Sequence, residues 1–210
     1  MFWCVIMAIN SYLNLRAAIS GFAKRGDIES EIDTFISLAE SDIWQRLRIK
    51  EMDTRAIATT STATRFIPLP ENFLEMRKLV LFSGSQSYPL QYVTPESIDI
   101  LPSNHIPSDY TITSQVEFNC RPAGNYTADM QYFRVLPPLS LDNQTNSILT
   151  LYPMVYLYGS LMHFGNWSLN DELTLKYANL FKAAIDQANR NDKKGRFGPA
   201  KAMRREMPTP

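Results

Sequence analysis

The sequence predicts an α+β fold: a four-helix bundle with an inserted small antiparallel β domain and an extended C-terminal tail. Apolar residues recur at spacings of three and four near the start of the chain and again after residue 145, as in helices with one buried face. Between these segments threonine and isoleucine are frequent, and prolines exclude long helices. We predict four parts: a helical hairpin at 1–52, the β domain at 53–145, two further helices at 146–190, and a basic tail at 191–210.

Two helices are predicted in the N-terminal hairpin. Asn10 or Ser11 can cap the first helix, and Gly26 is expected to end it. Its apolar face consists of Tyr12, Leu15, Ile19 and Phe22. A second helix begins near Asp27 or Ser30, and its apolar face consists of Ile32, Phe35, Ile36, Ala39, Ile43 and Leu47. The polar residues expected outside that face are Glu40, Asp42, Arg46 and Arg48.

The middle of the chain predicts short β-strands. Residues 116–119 alternate between apolar and polar, which is typical of a half-buried antiparallel strand. The predicted strands are 54–60, 65–69, 77–83, 88–93, 110–113, 115–119 and 129–135. A small sheet or sandwich follows from this pattern.

Helical spacing returns near Thr145, with Pro153 in a first-turn position. This segment is apolar nearly all round, which predicts burial at the centre of the bundle. Asn170 can cap a last helix, in whose first turn Asp171 and Glu172 are favourably placed. The apolar face of that helix consists of Leu173, Tyr177, Leu180, Phe181, Ala184 and Ala188.

Composition limits the function classes. Of 210 residues, 45% are apolar and 20% are charged, which is typical of a globular domain. No apolar run is long enough for a membrane-spanning helix. The soft metal ligands are Cys4, Cys120, His105 and His163, too few and too poorly spaced for a zinc site or a disulfide framework. We expect packing or surface roles for both histidines, and no metal or cofactor.

Catalytic candidates are sparse. The sequence has no Gly-rich phosphate loop and no GxSxG motif. A glycosidase needs only two carboxylates, and Glu71 with Glu75 or Glu40 with Asp42 are the pairs available for that chemistry. Ordinary solvated acids explain all four, so we expect no enzymatic activity.

The charges are unevenly distributed, although 21 basic and 21 acidic side chains balance over the whole chain. Residues 189–210 hold seven basic and two acidic side chains together with glycine and proline. Such a tail is expected to order only on a partner, or to remain a solvated terminus. At the other end, the apolar start lacks the basic segment and cleavage site of a secretion signal, and Met7 is an alternative first residue.

Several segments together resemble the adaptor, or head-to-tail connector, proteins of tailed bacteriophages. They lie along nearly the whole chain, at 32–48, 67–77, 136–140 with 145–146, 151–153 and 157–161. None of them is a catalytic motif. They are scaffold positions, moderately specific as an ordered set and nonspecific singly.

The resemblance implies a structural virion protein that forms a ring beneath the portal, typically of twelve copies. Such a ring extends the DNA channel, docks later neck or tail proteins and helps to retain the genome until ejection. The expected partners are the portal protein, downstream tail or neck proteins and further copies of the chain. Genomic DNA passes without sequence-specific binding, and no membrane is involved. The expected location is the virion neck, and the host cytoplasm during assembly.

The basic tail is the candidate portal-binding segment. We expect Arg196, Phe197, Arg204 and Arg205 to anchor it, the phenylalanine by burial and the arginines through portal carboxylates. Contact with DNA in the channel is a competing use of the same charge. Two other functions stay open: a tail-tube or tail-completion ring of the same architecture, and a virion-associated peptidoglycan hydrolase that uses Glu71 and Glu75.

Overall fold

A computed structural model describes residues 8–102 and 105–197. Its helices are α1 (Tyr12–Ala23), α2 (Ile32–Arg46), α3 (Ser147–Leu151), α4 (Pro153–Trp167) and α5 (Asp171–Phe197). Its strands are β1 (Asp53–Thr59), β2 (Phe66–Pro68), β3 (Phe73–Ser83), β4 (Gln86–Pro89), β5 (Gln91–Tyr92), β6 (Asp109–Ile112), β7 (Gln115–Phe118) and β8 (Thr127–Arg134). A 3-10 turn spans Lys50–Met52. The predicted α+β class is confirmed.

The chain divides into two compact units. The β unit comprises Glu51–Leu136, and the helical unit comprises the residues before and after it. Among the described residues, no helix is both long and apolar enough to span a bilayer.

Helix α4 is the common packing partner in the helical unit, since α1, α2, α3 and α5 all contact it. This agrees with the predicted central position of that apolar segment, and Val155, Tyr156, Leu157 and Leu161 are buried. The described residues form five helices, and a four-helix bundle is not confirmed. The predicted third helix is divided because Tyr152, which precedes Pro153, leaves the helical conformation (φ −137°, ψ 58°).

The ends of α1 and α5 refine the sequence-based bounds. Ser11 caps α1 by accepting a hydrogen bond from Asn14 N at 3.2 Å. The helix ends at Lys24 in the left-handed conformation (φ 53°), so the prediction of Gly26 as its end was wrong by two residues. Helix α5 continues through Phe197, so the first seven residues of the predicted extended tail are helical. The rest of the predicted tail, 198–210, lies outside the described residues.

The β unit contains two four-stranded sheets that share one apolar core. One sheet has the order β1-β8-β3-β4, and the other has the order β2-β7-β6-β5. The core consists of Ile67, Leu79, Leu81, Leu90, Tyr110, Val116, Phe118, Tyr126, Ala128, Met130 and Tyr132. Strands of both sheets supply this core, so the unit has the architecture of a small sandwich.

One predicted strand, 88–93, becomes two strands in different sheets. Strand β4 pairs antiparallel with β3, whereas β5 pairs parallel with β6. The chain crosses between the sheets at Leu90, which is 9% exposed and whose N–H donates to the carbonyl of Leu79. The parallel pair is a departure from the all-antiparallel expectation.

Candidate interaction surfaces

A buried polar network joins α2, α4 and the segment 137–146 of the helical unit. Glu40 Oε1 accepts hydrogen bonds from Leu139 N at 2.8 Å and from the Tyr156 hydroxyl at 3.1 Å. Asn146 donates to the Tyr156 oxygen at 2.6 Å and caps α3 by accepting from Leu149 N at 2.9 Å. Each member satisfies another, which fixes the positions of elements that are far apart in sequence.

Glu40 was expected to be a solvated acid, and that expectation was wrong. The residue is only 4% exposed, because the segment 137–146 and Tyr156 cover it. Burial raises the pKa of its carboxyl, and the hydrogen bonds from Leu139 and Tyr156 oppose part of that rise. Burial and the adjacent Glu40 together raise the pKa of Tyr156 far above its usual range. The geometry is that of a structural clamp inside the helical unit.

The second expected carboxylate pair gives no catalytic arrangement. Glu71 lies in the turn before β3, Glu75 lies on β3, and both are exposed. Two cavities in the described part of the β unit, of about 250 and 420 Å³, are lined by other residues. The remaining acid, Asp42, is 2.9 Å from His163 Nε2.

His105 and Cys120, two of the candidate soft metal ligands, make structural contacts. His105 forms an isolated bridge with Pro122, and its carbonyl accepts a hydrogen bond from the buried Cys120 thiol at 3.6 Å. Burial raises the pKa of that thiol. Within residues 8–102 and 105–197, no three His, Cys, Asp or Glu side chains are grouped so that they could hold a metal ion.

The C-terminal end of α5 is a basic surface on a fixed support. Its exposed basic residues are Arg190, Lys193 and Lys194. Beneath them Asp192, 7% exposed, accepts from Lys50 N at 2.7 Å and from Arg196 Nε at 2.6 Å. One turn earlier, the Asn189 side chain accepts from the backbone N–H of Arg48 and donates to the carbonyl of Arg46. We call this surface, residues 189–196, the basic end.

The structure locates two of the four predicted portal-binding residues. Arg196 lies in the last turn of α5 with its side chain 18% exposed and paired with Asp192. Phe197 is the last residue of that helix. Arg204 and Arg205 lie outside the described residues. Asp192 was not predicted, although its spacing of four from Arg196 is the spacing of a helical ion pair.

The chain matches a known protein family. A family model described as "SU10 adaptor protein" matches residues 10–204. The chain belongs to this adaptor family. No curated protein matches the chain.

For this SU10-type adaptor, the family match runs from the residue before the α1 cap to beyond the end of α5, and so includes both units. Membership confirms the resemblance to phage head-to-tail adaptors and implies a structural, non-enzymatic virion protein. It further implies a location at the virion neck, with portal and tail proteins as partners. Three members of the buried network, Glu40, Leu139 and Asn146, belong to the segments on which the resemblance rests, so those segments include parts of the buried scaffold.

Proposed function

We propose that this adaptor forms a ring that joins the portal to the tail, extends the DNA channel and docks later neck or tail proteins. The family match over residues 10–204 carries this proposal, because it includes every helix and strand described. Twelve copies are the expected number. Genomic DNA passes through the ring without sequence-specific binding.

A ring of identical chains needs two different complementary faces on each copy, since a heterologous contact that closes by rotation generates a cyclic assembly. Large apolar side chains are exposed on both units, as such faces require. Those exposed by more than half are Leu13, Phe22, Ile57, Tyr92, Ile100, Leu141, Leu151, Leu169 and Leu175.

The portal contact in this proposal uses the C-terminal end of the chain. The basic end is held by Asp192 and Asn189, so the direction in which the chain leaves α5 is defined by the helical unit. Arg196 contributes mainly to that support through Asp192 and adds positive charge at its surface. Phe197, Arg204 and Arg205 follow it and supply the apolar anchor and the charged contacts to portal carboxylates.

Deletion of residues 198–210 tests this contact and leaves all of α5 in place. We expect binding to the portal ring of the same virus to be lost while the melting temperature of the adaptor stays unchanged. Lys182→Gln, which removes an exposed charge in the middle of α5, is the matched control and should bind as the wild type. Unchanged portal binding by the truncated chain would contradict the proposal.

The same samples separate a portal contact from a DNA contact. Binding should persist after nuclease treatment, whereas a phosphate contact should disappear and should weaken steeply with salt. A tail-completion ring would fail to bind the portal alone and would bind only a portal that already carries an adaptor.

A further inference from the structure

Strand β1 is a long and regular edge of its sheet in the β unit. The sheet has the order β1-β8-β3-β4, so among the described strands β1 pairs on one side only, with β8. All seven of its residues pair in one unbroken antiparallel register, from Asp53 opposite Phe133 to Thr59 opposite Thr127. The free side of such a strand presents a row of backbone N–H and C=O groups to which a further strand can bond.

The pairing shows which backbone groups of β1 point away from the sheet. Thr60, the residue after β1, donates its N–H to the Tyr126 carbonyl. Backbone groups along an antiparallel strand point toward and away from the partner by turns, so every second residue counted back from Thr60 bonds to β8. The N–H and C=O groups of Arg55, Ile57 and Thr59 therefore face outward, and they have no backbone partner among the described strands.

The other three edges of the two described sheets carry features that oppose pairing. Strand β2 has three residues and ends in Pro68, β4 has four and ends in Pro89, and β5 has only two. Short edge strands and prolines are means by which proteins prevent pairing between sheet edges. Strand β1 has seven residues, no proline and no bulge, so its edge alone among these four is left open.

The outward side chains of β1 suit contact with a neighbouring strand. Ile57, at the middle of the edge, is 74% exposed. Ala56 and Ala58, on the other face of β1, pack against the core of the β unit, so the place of β1 in the sheet does not depend on Ile57. A β-branched side chain in this position packs well against a side chain of an adjacent strand.

The charges beside this edge nearly balance. Arg55 lies 3.8 Å from Asp129 on β8, and Asp53 pairs with Arg77. Lys78, on β3, lines a cavity together with Arg55 and Asp129 and adds one positive charge. The edge therefore selects a partner by its extended backbone rather than by its charge.

A second copy of this chain does not supply a suitable strand. Its β2, β4 and β5 offer at most four residues, and prolines interrupt two of these three strands. Pairing of β1 with the same edge of another copy joins identical surfaces and gives a closed dimer, whereas the proposed ring needs two different faces. Residues 198–210 contain three prolines, which also oppose a strand. These observations favour a segment of a different protein.

We propose that β1 receives an extended segment of a neck or tail protein that joins the virion after this adaptor, as an added strand of the sheet. The backbone of that segment bonds to Arg55, Ile57 and Thr59, and one of its apolar side chains packs on Ile57. The identity of the partner rests on the proposed function, in which the portal contact uses the end of α5 in the helical unit and leaves the β unit for later proteins.

Ile57→Pro is the decisive variant. It removes the outward N–H at the centre of the edge and leaves the hydrogen bonds between β1 and β8 in place. Ile57→Thr keeps that N–H and a high strand propensity but removes most of the apolar side chain. We expect the affinity for tails purified from the same virus to fall about tenfold or more in Ile57→Pro and about threefold at most in Ile57→Thr.

Ser87→Pro, on the opposite edge of the same sheet, is the matched control. Leu90 N donates to the Leu79 carbonyl, so the N–H of Ser87 points away from β3 and toward solvent. This control should bind tails as the wild type does. All three variants should form rings and bind the portal as the wild type does.

Hydrogen exchange of the wild-type adaptor tests the pairing without any substitution. In the free adaptor the amides of Arg55, Ile57 and Thr59 should exchange rapidly, whereas the amides between them should be protected by β8. Addition of tails should protect these three amides. Protection in the free adaptor would overturn the proposal, because the chain itself would then cover the edge, and so would rapid exchange that persists in the tail complex.

The binding assays use both the free and the portal-bound adaptor, so that the two proposals are tested separately. Equal tail affinities of Ile57→Pro and wild type, or equal losses in Ile57→Pro and Ile57→Thr, would overturn the strand pairing. Loss of ring formation or of portal binding in a folded Ile57→Pro would also overturn it, because the edge would then face another copy or the portal. If Ile57→Pro lowers the melting temperature, the exchange measurement decides.

Absence of portal binding by the wild type would overturn the proposed function alone. A selective loss of tail binding by the free Ile57→Pro adaptor would still support the strand pairing in that case.

Discussion

Replacing Glu40 tests the buried network at its centre. Glu40→Ala removes the acceptor of two hydrogen bonds, one from Leu139 N and one from the Tyr156 hydroxyl. Glu40→Gln keeps an oxygen in the same place and removes the ionisable group. The pair of variants therefore separates loss of hydrogen bonds from loss of charge.

The magnitude follows from the groups left without partners. A buried backbone N–H that loses its acceptor costs about 1–3 kcal/mol, and the Tyr156 hydroxyl proton adds about 1 kcal/mol. Relief from burying a carboxylate offsets part of this loss. We therefore expect Glu40→Ala to lower the free energy of unfolding by about 1–3 kcal/mol after this offset, and Glu40→Gln to change it by less than about 1 kcal/mol.

The stabilities of the wild type and of Glu40→Gln should also depend differently on pH. Because burial raises the pKa of Glu40, the folded state binds its proton more tightly than the unfolded state does. The stability from this group is fully present below the usual glutamate pKa and is lost as the pH rises through the raised value. Glu40→Gln lacks this titration, so it should gain stability relative to the wild type between about pH 4 and about pH 8.

Urea denaturation followed by circular dichroism at both pH values measures these differences. The transition assigned to the helical unit is the one to compare. A loss below about 0.5 kcal/mol in Glu40→Ala, or a pH-independent difference between wild type and Glu40→Gln, would refute the reasoning.

Other substitutions test packing and hydrogen bonds by the same denaturation assay. Gly165→Ala should lower the free energy of unfolding by about 2 kcal/mol or more, since the added Cβ would lie 2.7 Å from an atom of α5. Gly159→Ala should lower it by about half as much, because the nearest neighbours of that Cβ would lie at 3.0–3.1 Å. Gly21→Ala should instead stabilise the protein by up to about 1 kcal/mol, because the added methyl meets nothing within 4 Å and alanine favours the helix in this last turn of α1. Destabilisation there would contradict the described packing of α1. Asp192→Ala should lower the free energy of unfolding by about 2–3 kcal/mol, because Lys50 N and Arg196 Nε both lose their acceptor. Asp192→Asn should lower it by less, and equal losses in the two variants would argue against the ion pair. Thr60→Val should cost about 1–2 kcal/mol, since the hydroxyl bridges two backbone groups of the β unit, and an unchanged stability would show that water replaces it.

Local signals in the sequence were sufficient for most of the secondary structure. Strands of the β unit follow from alternation and from turn residues, both of which act within a few positions. The division at Leu90 could not be predicted this way, because β4 and β5 pair with strands of different sheets. Similarly, α5 extends into the predicted tail because Asp192 bonds to the backbone of Lys50, which is 142 residues away in sequence.

The functional residues were less predictable than the fold. The helical spacing places Glu40 outside the apolar face of α2, and only the return of the chain at 137–146 covers it. Arg196 was predicted as a portal-binding anchor, and its ion pair with Asp192, one turn earlier in the same helix, was not predicted.

Mass photometry of the portal ring, alone and after mixing with this adaptor, tests the central claim most directly. The account predicts one heavier species whose added mass corresponds to about twelve chains of 24.0 kDa. A portal mass that stays unchanged in the presence of excess adaptor would contradict it.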